Sequence, residues 1–276
     1  MSKPIVLVTG CTEGGIGYSV AKRFAQEGSQ VIATGRRVEA LGDLEKFGCD
    51  REKLDICDHQ SIESVVNKII EKYGRIDVLV NNAGAPAIGA LLDVSLETIH
   101  QCINTNVIGT LFMCRAVAVH MAKKKSGKIV NIGSVVGYAT TPWAGIYALS
   151  KAATHSLSDT LRLELRPFGI QVTVVAPGAI RSNFGTNSAK TSLVPEGSLY
   201  TRVASNIINR GSMSQGPHST PSEVFAAHVV KKVNRDTAPR YITYGAMSWI
   251  FVLFYYLPYF LRDMIFYKKF GVNLLE

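Results

Sequence analysis

Pro4-Ile5-Val6-Leu7-Val8-Thr9-Gly10-Cys11-Thr12-Glu13-Gly14-Gly15-Ile16-Gly17 is the stretch whose reading decides the fold. Its first five residues form a short, β-branched apolar run, the pattern of a strand buried on both faces in a parallel sheet. The run passes directly into a glycine-rich turn. A helical pattern follows through Val20, Ala21, Phe24 and Ala25, and Gly28 stands where a helix places its C′ residue. Strand, glycine turn and helix together suit a dinucleotide pyrophosphate. The glycines let backbone approach the phosphates, and the helix N-terminus offers free N–H groups at the positive end of its dipole.

The next apolar run, Gln30-Val31-Ile32-Ala33-Thr34, ends in Gly35-Arg36-Arg37. An acidic residue near this point binds a ribose 2′-hydroxyl, whereas arginine accommodates a 2′-phosphate. No acid stands at the strand end, and Glu39 is expected to open the next helix. Arg36 and Arg37 therefore point to NADPH. The alternative is a solvated basic turn.

Tyr147 and Lys151 lie four apart in Tyr147-Ala148-Leu149-Ser150-Lys151. On a helix this spacing puts phenol and ammonium on one face. A cation beside a phenol favours the phenolate and lowers its pKa from about 10. That makes Tyr147 a usable general acid or base. Taken alone, the pair also suits an ordinary helix surface.

Further motifs follow in order. Asn81-Asn82-Ala83-Gly84 follows the run Val78-Leu79-Val80, and Asn106 sits in Thr105-Asn106-Val107-Ile108-Gly109. Ser134 follows Lys128-Ile129-Val130-Asn131-Ile132, and Pro177-Gly178 follows Val172-Thr173-Val174-Val175. With the glycine turn and the Tyr147/Lys151 pair, these resemble the short-chain dehydrogenase/reductase family from the first strand to about residue 245. The form Thr-Gly-Cys-Thr-x-Gly-Gly-Ile-Gly is similar to a subgroup of fungal and plant NADPH-dependent reductases of 1-acyldihydroxyacetone phosphate. One departure is an extra residue in the turn, which leaves Gly14 and Gly15 as rivals for the pyrophosphate-facing place.

The resemblance implies a Rossmann-type, doubly wound parallel sheet with helices on both faces. It implies a cofactor site of Gly10, Gly14, Gly15, Ile16, Gly17, Arg36, Arg37, Asp55, Asn82, Tyr147, Lys151, Pro177, Gly178, Ile180 and Ser182. Asp55, after a short third strand, would meet the adenine amine, or else cap a turn. Ile180 and Ser182 would meet the nicotinamide amide. It implies a catalytic set of Ser134, Tyr147, Lys151 and Asn106. In that set Tyr147 protonates the substrate oxygen and Ser134 hydrogen-bonds it. Lys151 lowers the Tyr147 pKa and holds the nicotinamide ribose, and Asn106 helps anchor a water that relays protons. The family also suggests dimers or tetramers.

The chain has 276 residues, enough for one large α/β domain, and a net charge of +9. Such a balance favours anionic partners. No nucleic-acid motif accompanies it. NADPH, a phosphorylated substrate and an anionic membrane surface each account for it. Five scattered cysteines without a CxxC pair argue for a reducing compartment, and no metal site is expected from the scattered histidines. A strand so near the N-terminus leads us to expect no signal or transit segment. Alternating strands and helices run to about residue 175. Residues 181–220, rich in Ser, Asn, Gly and Thr, read as a long loop of the kind that forms lids or binding loops, and the resemblance implies that this region closes over substrate. Thr220, Pro221 and Glu223 then read as N-cap, N1 and N3 of a helix, and Tyr241–Tyr244 as the last strand.

Residues 246–276 form an apolar C-terminal extension to the domain at 1–245. Ala246–Leu261 has no charged residue and holds Trp249, Phe251, Phe254, Tyr255, Tyr256, Tyr259 and Phe260. It is shorter than a spanning helix and carries Pro258. It reads as an interfacial segment at a membrane or lipid-droplet surface, with Lys268 and Lys269 toward anionic lipid, or as a cap over the substrate pocket. The expected site is the cytosolic face of the endoplasmic reticulum or a lipid droplet. The expected activity is NADPH-dependent reduction of a lipophilic ketone, foremost 1-acyldihydroxyacetone phosphate. A steroid or retinoid ketone is the alternative. A non-catalytic NADPH-binding protein is a weaker reading. So is a lipid hydrolase, because Ser212-Met213-Ser214-Gln215-Gly216 lacks the first glycine of a nucleophile elbow.

Overall fold

A computed structural model describes residues 3–190 and 194–276; positions 191–193, within the expected substrate loop, lie outside the described residues. Seven parallel strands form one sheet: β1 (Ile5–Val8), β2 (Gln30–Gly35), β3 (Asp50–Lys53), β4 (Val78–Asn81), β5 (Gly127–Ile132), β6 (Ile170–Pro177) and β9 (Tyr241–Tyr244). Their order is β3-β2-β1-β4-β5-β6-β9. The order reverses between β1 and β4, so the crevice for a ligand opens at the carboxyl ends of these two strands. This is the doubly wound α/β sheet expected from the sequence.

The alternation along β1 shows why. Val6 and Val8 enter a cluster with Val20, Ala21 and Phe24 of α1 (Ile16–Gln26) and with Phe225, Val229 and Val230 of α8 (Ser222–Val233). Ile5 and Leu7 point to the other side. There they meet Ile62, Val66 and Ile69 of α2 (His59–Tyr73) and Met113, Val117 and Met121 of α4 (Thr110–Lys124). A strand covered on both faces has no polar side, hence its unbroken apolar run. α3 (Leu96–Ile103) joins α4 through a π-helical turn at Asn104–Gly109. Leu96–Lys124 is the one described helical run long and apolar enough to cross a membrane, yet its Met113, Val117 and Met121 are core residues. α5 (Gly145–Glu164) packs against β6.

Two sequence expectations change. The 181–220 stretch is largely ordered: β7 (Ile180–Arg181) pairs with β8 (Thr220–Pro221), and α6 (Asn183–Lys190) and α7 (Ala204–Ser212) lie between them. Thr220 is not the N-cap of α8. The helix begins at Ser222, and the Thr220 hydroxyl instead accepts from the Ala246 N–H at 2.9 Å. That bond ties the last segment to the sheet end.

The C-terminal residues form α9 (Ser248–Tyr256) and α10 (Tyr259–Lys269), with Pro258 at the bend. They share a third apolar cluster with the main fold, in which Phe254, Phe266 and Phe270 pack with Trp143, Val203 and Ile207. The Trp143 indole N–H donates to the Phe270 carbonyl at 2.9 Å. The segment therefore packs into the domain as well as extending it. Much of its aromatic surface nevertheless stays outside: Tyr256, Tyr259 and Phe260 are 78, 72 and 71% exposed. At 1.5 Å rise per residue, nine-residue α9 falls far short of the ~30 Å hydrocarbon core of a bilayer.

Candidate active site

One long cavity runs from the glycine turn past Tyr147 to the C-terminal aromatics. At its first end Gly10 turns in the left-handed region at φ +71°, and a Cβ there would stand 2.7 Å from the Ala83 Cα. Only glycine lets the β1 and β4 ends meet so closely. Asn82 clamps this junction, its amide donating to the Thr9 and Gly10 carbonyls at 3.0 and 2.9 Å.

The rivalry between the two middle glycines resolves in three dimensions. Gly15 is the N-cap residue of α1, without a side-chain cap, and together with Ile16 it lines the cavity. Gly14, at φ +72°, turns away beneath α6, where the Asn183 amide donates to the Glu13 carbonyl at 2.7 Å. Gly17 also lies off the cavity, packed against Asn82. Of the expected cofactor glycines, Gly10 and Gly15 face the space and Gly14 and Gly17 shape it. An uncapped helix N-terminus opening on a cavity fits a pyrophosphate.

Arg36 and Arg37 are exposed at the end of β2, line the same cavity and make no ion pair among the described residues. Glu39 does not line it. Asp55 does, while its carboxylate also accepts from the Cys57 N–H at 2.9 Å. Pro177, Gly178, Ile180 and Ser182 line the opposite wall, so the donor set fits a dinucleotide with a phosphate at its adenosine end.

Tyr147 and Lys151 share the first turns of α5, with the Lys151 Nζ 5.7 Å from the phenol ring centre. Both line the cavity together with Ser134. The expected effect of Lys151 on Tyr147 is not what the structure shows. The Lys151 ammonium donates to the Ile132 carbonyl at 2.8 Å, and burial lowers its own pKa to about 8. Burial raises the Tyr147 phenol well above 10, and Cys102 adds to the rise; the Ser134 hydroxyl and the Arg210 guanidinium offset it in part. Tyr147 is thus a protonated donor at neutral pH.

Asn106 sits in the π-helical turn, 1% exposed and off the cavity wall. Its amide accepts from the Ala85 N–H at 2.7 Å and donates to the Ala85 carbonyl at 3.0 Å and to Ser150 Oγ at 2.9 Å. The Asn106 side chain is thus committed to holding the Gly84-Ala85 segment against α5. Behind Ser134, buried His155 accepts weakly from the Ser134 N–H at 3.4 Å.

The sequence pointed to residues 181–220 and the C-terminal aromatics as walls of a substrate pocket without singling out the side chains that form its far end. Thr141, Arg210, Met213, Phe251 and Phe270 line it beyond Tyr147. They come from three separate stretches, and no local spacing links them.

A family model described as short chain dehydrogenase matches residues 4–192. The NADPH-dependent 1-acyldihydroxyacetone phosphate reductase of Schizosaccharomyces pombe is 38% identical over 204 residues, covering 72% of this chain and 68% of that protein. The protein of the same description from Saccharomyces cerevisiae is 34% identical, covering 98% of this chain and 92% of its own length. Among solved structures, a short-chain dehydrogenase from Streptomyces avermitilis superposes with a TM-score of 0.82 at 29% identity, covering 99% of this chain and 98% of that one.

Proposed function

The chain belongs to the short-chain dehydrogenase family of oxidoreductases, and on that footing we propose that it is an NADPH-dependent reductase converting 1-acyldihydroxyacetone phosphate to 1-acylglycerol 3-phosphate. The observation that carries the reading is the layout of one cavity. An anion-suited glycine turn and two unpaired arginines stand at one end, a tyrosine acid stands in the middle, and an apolar aromatic end lies beyond. The names of the two yeast relatives support the same substrate.

When bound, NADPH supplies the hydride for the ketone carbon. The Gly15–Ile16 helix end would hold its pyrophosphate, Arg36 and Arg37 its 2′-phosphate, and Asp55 its adenine. Pro177, Gly178, Ile180 and Ser182 would flank the nicotinamide. As negative charge develops on the ketone oxygen, the Tyr147 hydroxyl donates its proton there. The Ser134 hydroxyl hydrogen-bonds the same oxygen and fixes its direction. A phenol held above its ordinary pKa is fully protonated at neutral pH, which suits a donor in the reductive direction. Lys151 would hold the ribose, and its ammonium, with the pKa lowered to about 8, is the proton source that restores the Tyr147 phenolate to the phenol and is itself re-protonated from solvent. Asn106 keeps the Ala85 wall and α5 in register.

The exposed face of α9 and α10 suits a membrane or lipid-droplet surface on the cytosolic side of the endoplasmic reticulum. The same C-terminal segment places Phe251 of α9 and Phe270, just after α10, on the cavity wall and Tyr259 and Phe260 outside, so an acyl chain would pass from lipid to site through one apolar segment. Exposed Lys268 and Lys269 at the end of α10 favour anionic headgroups.

The test is NADPH absorbance with full-length protein in mild detergent and 1-acyldihydroxyacetone phosphate, with NADH in parallel. Rapid oxidation of NADPH and little of NADH is expected. Turnover of steroid or retinoid ketones with none of the acyl phosphate would overturn the substrate assignment.

A further inference from the structure

Among the described residues, Arg210 is the one charged side chain on the cavity wall besides Arg36, Arg37, Asp55 and Lys151. It stands in the last turn of α7, in the polar stretch between β7 and β8. Its Nε and Nη2 donate to the buried Thr141 hydroxyl at 3.2 and 3.0 Å. The guanidinium carbon lies 6.0 Å from the centre of the Phe270 ring. No acidic side chain among the described residues pairs with it, and Tyr147 is the group with which it interacts electrostatically. Five N–H donors belong to a guanidinium, so after Thr141 three remain without a protein acceptor.

A cation enclosed by Thr141 and Phe270 and facing a cavity is costly to hold without a counter-charge. Thr141 fixes the planar fork, which presents its remaining donors as a bidentate site for an oxyanion. Arg210 and Tyr147 line the same cavity, so one ligand can set an anion on Arg210 and a carbonyl at Tyr147. Met213, Phe251 and Phe270 add apolar lining to the same cavity. We propose that Arg210, oriented by Thr141, is the anion subsite for the substrate and selects a ketone bearing a phosphate monoester next to its carbonyl and an apolar chain beyond. This rests on the acyl-phosphate reading above and names the residue that enforces it. The adenosine phosphate of the cofactor belongs to Arg36 and Arg37 at the other end, so the two anion sites do not compete.

The experiment compares wild type, Arg210→Ala and Arg210→Lys, all saturated with NADPH, on 1-acyldihydroxyacetone phosphate and on its dephosphorylated form. Wild type is expected to prefer the phosphate by about 100-fold in kcat/KM, the scale of two charge-assisted hydrogen bonds. In Arg210→Ala that ratio falls to near 1, and Arg210→Lys recovers part of it. The ratio cancels any loss that both substrates share through Tyr147 or through packing. NADPH binding by fluorescence shows that each variant is folded. An unchanged ratio in Arg210→Ala overturns the subsite while leaving the reductase reading intact. If wild type reduces neither form, tryptophan fluorescence with 1-acylglycerol 3-phosphate and 1-acylglycerol tests the subsite separately. Phosphate-selective binding lost in Arg210→Ala supports it there, and equal binding of the two overturns it.

Discussion

Gly17→Ala separates two ways in which a glycine can be required. Gly17 lies in α1 at an ordinary helical φ, so backbone preference alone makes alanine welcome by about 1 kcal/mol. Space reverses the sign. A Cβ there would stand 2.3 Å from the Asn82 amide nitrogen and 2.5 Å from the Gly10 carbonyl oxygen. The carbonyl is backbone and cannot swing aside. Asn82 must move, and it then loses its bonds to Thr9 and Gly10, worth about 1 kcal/mol each. Overpacking adds about 1–3 kcal/mol. The net loss is about 2–4 kcal/mol, or roughly 5–15 °C in Tm for a domain of this size. Gly28→Ala is the control. Gly28 has φ +88° but nothing within 4 Å of a Cβ, so it bears only left-handed strain of about 1–2 kcal/mol. Thermal melts followed by circular dichroism should rank Gly17→Ala below Gly28→Ala. NADPH titration should show more than about tenfold weaker binding in Gly17→Ala alone, because the Gly10 turn moves. If Gly28→Ala is the less stable of the two, occupied space at Gly17 is not what holds the turn, and the reasoning fails.

Three further outcomes follow from the same geometry. Tyr147→Phe should lower kcat by about 10²–10⁴-fold with NADPH affinity retained; an unaffected rate would remove Tyr147 as the acid. Burial, with Lys151 adding to it, holds His155 down to about 4, so the unfolded chain takes up a proton first on acidification. Stability from this group is complete above about pH 6.5 and falls toward pH 4, losing roughly 2 kcal/mol between pH 7 and 5. Urea midpoints should show that slope in wild type and a flatter one in His155→Gln; equal slopes would assign the acid sensitivity elsewhere. On the outer face, Tyr259→Ser with Phe260→Ser should weaken flotation with anionic vesicles by roughly 10²–10⁴-fold, given about 1.5–3 kcal/mol for each buried aromatic. Undiminished flotation would place the membrane contact on another surface.

Much of the molecule is legible in the chain because its determinants are local. The apolar runs of β1, β4, β5 and β6 announce strands buried on both faces, and Gly28 marks the end of α1 at φ +88° as its spacing implies. Tyr147 and Lys151 share a helix face because the helical repeat requires it. By contrast, residues 181–220 look like a loop because their apolar positions are few, yet contacts made across the chain order them into α6 and α7. Thr220 carries a capping signal that the Ala246 N–H takes over.

The sequence alone determined the strand–turn–helix unit, the parallel sheet and the helix face that Tyr147 and Lys151 share. Each rests on residues within a few turns of one another, where covalent geometry and side-chain period set the outcome. Tertiary structure alone decided which of Gly14 and Gly15 faces the cavity, because Asn183, far along the chain, packs over Gly14. It decided that Lys151 bonds the Ile132 carbonyl and that Arg210 lines one cavity with Tyr147. It also decided that the last helices both cap the cavity and keep an aromatic face outside. These depend on burial and on neighbours distant in sequence, and desolvation and charge act through space rather than along the chain.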